Sequence, residues 1–483
     1  MKKENRACSL YSAMITRMLT VRGKRLRVDS SMLQLKGAKC RFLFCLVICI
    51  FICSAIYLKA KVSNSPAIYL KAKVSNSSAS QHSPNARHSP DTQLCRPLPP
   101  GCRPILGGRE GSTWERRDCL TEGYLAAPDL NCSAVTGDLH FITSPLSREE
   151  EEYPLAFIVT IHKELEMFAR LLRAVYAPQN VYCVHVDAKA EPWYRAAVER
   201  LAGCFPNVFL ASASERVTYA GFSRLQADIN CMRDLARSPV AWRKVVNLCG
   251  QDFPIMSNLE LVRYLRSEPW RDHNMTPGIK QPPTMRYRTQ MQYKEVAGSH
   301  VARRGRGYKK GPPPHKLEIY FGTAYYSLTR GFVKYVLNSR VARDLLEWSK
   351  DTYSPDEHYW VTLNHIPDAP GNYRNGGWEG SVRAIKWGDQ EGQAHSGCKG
   401  QYVRNICVYG IGDLPWIVNR NSNMFANKFS TLSFPEATDC MEEWHRQKVL
   451  RQAEVPEKPG WRLAVETDEV GARANANDTT GPS

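Results

Sequence analysis

LAFIVTI, residues 155–161, is a run of seven residues with six apolar side chains and no charge. A strand with one face in water alternates apolar and polar residues, so an unbroken run reads as a strand covered on both faces, as in a parallel sheet. The residues after it fit that reading. Leu165, Phe168, Leu172 and Val175 recur at helical spacing, and VYCVHVD (181–187) is a second strand. EPWYRAAVERLAGC (191–204) is a helix opened by Pro192, NVFLA (207–211) a third strand, SRLQADINCMRDLARS (223–238) a helix and KVVNLCG (244–250) a fourth strand. The alternation predicts an α/β fold with a mainly parallel, Rossmann-like sheet and helices on both faces. Ligands of such sheets sit at the carboxyl ends of the strands. Asp187 falls at such an end, where its carboxylate either caps the following turn or accepts hydrogen bonds from a base or ribose.

The 483-residue chain is 43% hydrophobic, enough for a large core, and its formal charge is +18. That charge is unevenly placed. Residues 1–110 hold 19 Lys+Arg against 4 Asp+Glu, a net of +15, which leaves +3 for the rest. A near-neutral globular part excludes a nucleic-acid partner, because phosphate-backbone binding needs cations clustered on the binding face. The basic segment surrounds FLFCLVICIFICSAIYL (42–58), 17 residues without a charge, preceded by Lys24, Arg25, Arg27, Lys36, Lys39 and Arg41. The length is at the short end for a membrane span. About 40 residues precede it and no small-x-small site follows, which favours a signal anchor over a cleaved signal peptide. The positive flank keeps the N-terminus cytoplasmic and sends the remainder into the lumen. AIYLKAKVSNS then occurs twice, at 55–65 and 67–77, followed by a polar Ser, His and Pro-rich stretch that reads as a stem. The expected organisation is a tail (1–41), anchor (42–58), stem (59–94), catalytic domain (95–450) and polar C-terminal tail (451–483).

Of 16 cysteines, 11 lie beyond the apolar run, without CxxC pairs or Cys/His clusters at zinc spacing. That argues against a metal site and for disulfides in an oxidising compartment. Sequons at Asn76, Asn131, Asn274 and Asn477 fit glycosylation there. Phosphate-binding loops are missing: there is no GxxxxGKS/T, no GxGxxG between strand and helix, and GRGYKKG (305–311) has the wrong spacing. No Asp-x-Asp pair supplies hard ligands for a divalent ion, so a nucleotide diphosphate would need cationic side chains instead. In SPDEHYW (354–360) two carboxylates adjoin a histidine and two aromatics, a composition suited to a pocket wall that positions one carboxylate for proton transfer.

Several phrases together carry a resemblance: YPLAFIVTIHKELEMFARLLRAVYAPQNVYCVHVDAKA (153–190), VTYAGFSRLQADINCMRDL (217–235), NLCGQDFPI (247–255), TYSPDEHYW (352–360) and GIGDLPWIVNRNSNMFANKF (410–429). In order, over roughly residues 95–445, the chain resembles the core 2 and I-branching β-1,6-N-acetylglucosaminyltransferases of the Golgi. The resemblance implies a GT-A type domain and an inverting, metal-independent transfer from UDP-GlcNAc to a 6-hydroxyl of Gal or GalNAc on a glycan. Its partners would be the UDP-sugar donor, a glycan acceptor on a glycoprotein, and the Golgi membrane through the anchor. By motif, Glu357 would be the base and Asp356 a structural neighbour, with Tyr359 and Trp360 as sugar platform. Arg404 and Lys428 would offset the charge of the UDP leaving group, and Asp187 and Tyr219 would contact uridine.

The resemblance also implies disulfides Cys183 to Cys231, Cys398 to Cys407, Cys132 to Cys204, and Cys440 to Cys102 or Cys95, with Cys249 free. The match departs at the acceptor side. The family's ETE and KxxRW segments correspond to RDHNMTPGIKQPPTMRYRTQMQY (271–293), where Arg286 and Tyr287 stand for Arg-Trp and neither glutamate is present. Its WQYFEG appears as Trp387-Gly-Asp-Gln-Glu-Gly, which keeps the stacking Trp387 and loses a tyrosine. The donor half is intact and the acceptor half altered. A non-catalytic lumenal protein that keeps glycan or nucleotide affinity is therefore the alternative to an enzyme with a shifted acceptor.

Overall fold

The LAFIVTI run is the middle strand, Leu155–Ile161, of a five-stranded sheet. In the computed structural model the described residues are 121–465, apart from 297, 306, 375, 381 and 421, together with Cys102, Ile105, Glu115 and Arg116. The 42–58 run, the duplicated stem segment, Asn76, Asn477, Cys95 and Cys119 lie outside them. Among the described residues no helix is long and apolar enough to cross a membrane.

Val181–Val186 pairs in parallel on one side of the middle strand and Val208–Leu210 lies beyond it. Lys244–Cys249 pairs in parallel on the other side, and Ser327–Thr329 closes that edge antiparallel. Both faces are buried, as the uninterrupted hydrophobic strands require. Leu155, Phe157, Val159 and Ile161 pack with residues of the helices Leu165–Val175 and Pro192–Gly203. Ala156 and Ile158 pack with residues of Phe222–Arg237, Arg330–Asn338 and Tyr359–Asn364. Burying each large aliphatic side chain contributes roughly 1.5–3 kcal/mol, so these two layers hold the strands in place.

The chain leaves the middle strand toward one side and returns to the other. The strand ends at Ile161 and Cys249 therefore border the crevice where such sheets take ligands. Two further pieces close that end. Arg383–Ile385 runs parallel to Phe425–Asn427, which pairs antiparallel with Asp252–Pro254. Gln401–Val403 and Ile406–Val408 form a hairpin. The helix Pro435–Arg451 packs on Leu165–Val175, with Glu442 held between Arg170 and Arg173 at 2.6 Å each.

Among the described residues four disulfides tie these parts, Cys102–Cys440, Cys132–Cys204, Cys183–Cys231 and Cys398–Cys407, and Cys249 is free. The partner of Cys440, left open between two cysteines, is Cys102. Two expectations are corrected. Residues 451–465 are not a detached polar tail: Trp461 and Leu463 are buried, and Ala464–Val465 pairs with Glu115–Arg116. Asn274 is wholly buried, with Nδ2 donating to Asn364 Oδ1 at 3.0 Å and to the Pro370 carbonyl at 2.9 Å, so a glycan on that nitrogen has no space. Asn131 is exposed at a helix start, where its Oδ1 accepts from Ser133 and Ala134.

Candidate active site

Glu357 ends a short turn, Pro355–Glu357, that leads into the helix Tyr359–Asn364. Ser354, before the turn, has left-handed backbone (φ 46), and its N–H donates to the Ala220 carbonyl at 2.8 Å. Ala220 is itself left-handed at φ 59. Such a conformation costs a non-glycine residue about 1 kcal/mol or more, and two bonded together fix the Glu357 turn against the loop carrying Tyr219.

Glu357 keeps 33% of its side chain accessible, so the carboxylate is only partly covered. Arg288 is ion-paired to it, and the Arg288 carbonyl accepts the Tyr353 N–H at 2.9 Å. The Arg288 guanidinium lies 5.1 Å from the Phe321 ring and 5.4 Å from the Tyr353 ring. Burial raises the Glu357 pKa, opposed by Arg288.

Asp356 points inward. Burial, followed by the adjacent Glu357 charge, pushes its pKa up to about 7, while Arg224 opposes the shift. Arg224 is itself bonded to Asp228 at 2.6 Å. A folded state that holds the Asp356 proton while the unfolded chain releases it near 3.8 loses stability as pH rises between those values. Asp356→Asn flattens that part of the curve, as followed by urea unfolding from about pH 4 to about pH 7; an unchanged slope contradicts the assignment.

Tyr359 and Trp360 are not a sugar platform. Both are fully buried, and the Tyr359 hydroxyl donates to the Ala342 carbonyl at 3.0 Å. They anchor the helix behind the carboxylate. His358 is buried against Thr352 and Trp348, and desolvation holds its pKa down at about 3, which leaves it neutral.

Asp187, Tyr219, Arg404 and Lys428, which the resemblance assigns to the donor, form a second group. Asp187 Oδ1 accepts from Lys189 N at 2.8 Å and Val217 N at 3.3 Å, so the carboxylate caps its turn and also holds the loop leading to Tyr219. Tyr219 is 66% exposed, and the Arg404 guanidinium lies 4.9 Å from its ring centroid. Arg404 and Asn405, both left-handed at φ 53 and 66, are the two-residue turn of the 401–408 hairpin, a geometry that matches the twist of the strands. The Cys398–Cys407 bridge and Asp413, which accepts from Lys399, Gly400 and Gly410 N–H groups, brace that hairpin. Lys428 Nζ is 3.3 Å from the Val403 carbonyl, and burial lowers its pKa, with Arg404 and Lys163 adding to the effect. Its backbone is held on both sides: Asn427 bonds Asp252 at 2.9 Å, and Phe429 N–H donates to Gln251 O at 2.8 Å. Asp252 in turn meets Arg383 at 3.1 Å, whose guanidinium stacks between Tyr325 and Phe425.

Arg404 meets Tyr219 directly, Asp187 is tied to the same loop two residues earlier at Val217 N, and Lys428 is bonded to the backbone beside Arg404 at the Val403 carbonyl; the Ala220 to Ser354 bond connects that loop to the Glu357 turn. Half-buried Trp387 bridges Ile406 in the hairpin, with Asp389 bonded to Asn405 and Glu391 to Tyr402. Arg286 is exposed, and Arg288, two residues later, is the arginine paired with the Glu357 carboxylate. Motif spacing missed Arg288, because MRYRTQ offers two arginines and only the fold shows which faces inward. It also missed Asp252 and Arg383, which lie far apart in sequence and are paired only by the fold.

The Core-2/I-Branching enzyme family model matches residues 155–418. A pig protein named probable beta-1,3-galactosyl-O-glycosyl-glycoprotein beta-1,6-N-acetylglucosaminyltransferase 7 is 53% identical over 339 residues, 70% of this chain and 78% of its own. The human protein of that name is 47% identical over 441 residues, 89% of this chain and 97% of its own. The human N-acetyllactosaminide beta-1,6-N-acetylglucosaminyl-transferase is 51% identical over 325 residues, covering 67% and 79%. On this match the chain belongs to the core-2/I-branching enzyme family, and its enzyme class is that of the β-1,6-N-acetylglucosaminyltransferases.

Proposed function

We propose that the chain is an inverting, metal-independent glycosyltransferase of GT-A type that moves GlcNAc from UDP-GlcNAc to a 6-hydroxyl of Gal or GalNAc on a glycan. Glu357 is the base, and Arg404 and Lys428 take the charge that develops on UDP. The observation that carries this reading is the contact path from the two cations through Tyr219 and Ala220 to the Glu357 turn. A single displacement needs a base on one side of the anomeric carbon and a stabilised leaving group on the other, and the carboxylate at one end of this path and the two cations at the other suit those parts. The resident compartment in this reading is the Golgi lumen, with residues 42–58 as a type II anchor.

The departure at 271–293 favours a second reading, a glycan- or nucleotide-binding protein without transfer. An assay with labelled UDP-GlcNAc over mucin-type and N-acetyllactosamine acceptors, with and without EDTA, separates the two. Transfer that persists in EDTA is expected. Retained UDP binding without transfer to any acceptor supports the second reading instead.

A further inference from the structure

The hairpin of Tyr293–Val296 and His300–Arg303 touches both groups of site residues. Its base is fastened just before the Glu357 turn: Tyr293 N–H donates to the Asp351 carbonyl at 2.9 Å, and the Tyr293 ring lies 5.4 Å from that of Tyr353. Its far end is fastened to the Tyr219 loop. Gly298 N–H donates to Thr218 Oγ1 at 2.8 Å, and Lys189 Nζ donates to the carbonyls of Val217 and Gly298. From the same hairpin Glu295 reaches the start of the helix Phe222–Arg237, whose N-cap, Gly221, has no side chain to offer. The Glu295 carboxylate accepts from Ser223 N–H at 3.1 Å and from the Ser223 hydroxyl, whose oxygen accepts from Thr218 N–H at 2.8 Å. A carboxylate there satisfies N–H groups that a helix start leaves unpaired and meets the positive end of the helix dipole. The approach is close: a Cβ on Gly221 would stand 2.6 Å from the Glu295 carboxyl carbon.

We propose that Glu295 is a positioning residue for sugar transfer: by gripping the 217–223 loop at Ser223 it places Tyr219 against Arg404 and the Ala220 carbonyl against Ser354 N–H. Both contacts leave from adjacent residues, so a loop released at Ser223 loses them together. Ala220 is left-handed, a conformation that persists only where the surrounding structure holds it, and its two flanks, Thr218 and Ser223, both end on the hairpin. The hairpin thereby makes the order of the Tyr219 loop and that of the Glu357 turn depend on one carboxylate. The consequence for nucleotide binding rests on the donor role proposed for Tyr219 and Arg404; the coupling of loop to turn does not.

Hydrogen exchange of the ligand-free full chain reads the coupling, and UDP calorimetry with initial rates reads its consequence. In Glu295→Ala, exchange rises across 217–223 and also at Ser354, and UDP affinity falls about tenfold, within the range of a lost helix cap. KM for UDP-GlcNAc rises as far while kcat stays within a factor of about two; a residue needed only for folding would lower apparent kcat and leave KM alone. Gly221→Ala displaces the same carboxylate without removing it and reproduces these changes. Glu295→Gln keeps an oxygen for Ser223 N–H and recovers most of the affinity. Thr329→Val, which removes the hydroxyl cap of the helix Arg330–Asn338, leaves KM and the Ser354 exchange unchanged. Where Glu295→Ala does not fold, Gly221→Ala and Glu295→Gln are read. Increased exchange confined to Ser223, or an unchanged KM and UDP affinity in Glu295→Ala and Gly221→Ala, overturns the inference. A wild-type chain that binds no UDP overturns the donor reading instead, and the exchange at Ser354 then decides the coupling by itself.

Discussion

Glu357→Gln is expected to lower sugar transfer by roughly 10²–10⁴-fold while UDP binding stays within a factor of about two, the range associated with loss of a positioned general base. The amide keeps the shape of the side chain and an oxygen toward Arg288, so a loss of activity reports the proton acceptor and not the packing. Burial raises the carboxylate's pKa and Arg288 opposes that rise. Arg288→Gln removes the opposing charge, and the acidic limb of the pH profile of kcat/KM moves to higher pH as the base becomes harder to ionise. A Glu357→Gln enzyme with activity near that of the wild type removes the carboxylate from the mechanism.

Arg404→Ala and Lys428→Ala are each expected to lower kcat by roughly 10²–10³-fold, the scale on which a preorganised electrostatic group acts at a developing charge. Preorganisation is visible in the backbone. The Arg404 turn is closed by a disulfide nine residues in span and braced by Asp413, and Lys428 is held through Asn427 and Asp252. Arg404→Gly separates backbone from charge. Glycine suits the left-handed turn position, so unfolding stability is equal or higher, whereas transfer falls as far as in Arg404→Ala. Equal activity in Arg404→Gly and wild type would assign the residue to turn geometry alone.

The sheet was legible because its strands are mostly apolar and its helices amphipathic, so LAFIVTI, VYCVHV and KVVNLC declare themselves without tertiary information. The antiparallel edge Ser327–Thr329 was not legible, since three residues carry no period. At the site, resemblance pointed to Asp187, Tyr219, Arg404 and Lys428, whose loops the fold places side by side. Its errors have physical causes. Tyr359 and Trp360 adjoin the acid in sequence, but a helix sends its successive residues in different directions, and both rings turn into the core. The pairing of Arg288 with Glu357 is a different matter, one of tertiary placement: the bond from Tyr353 N–H to the Arg288 carbonyl helps hold it there. Asn274 sits in a valid sequon, yet burial and not tripeptide sequence decides whether its amide can carry a glycan.

The central claim is that a guanidinium and an ammonium hold the pyrophosphate that other sugar transferases hand to a divalent ion. A crystal structure of the full chain with UDP-GlcNAc and added Mn²⁺ tests it. The account predicts Arg404 and Lys428 within hydrogen-bonding distance of the β-phosphate oxygens, no ion between the phosphates, and the Glu357 carboxylate across the anomeric carbon. A bridging Mn²⁺ held by carboxylates, or a pyrophosphate remote from both side chains, contradicts it.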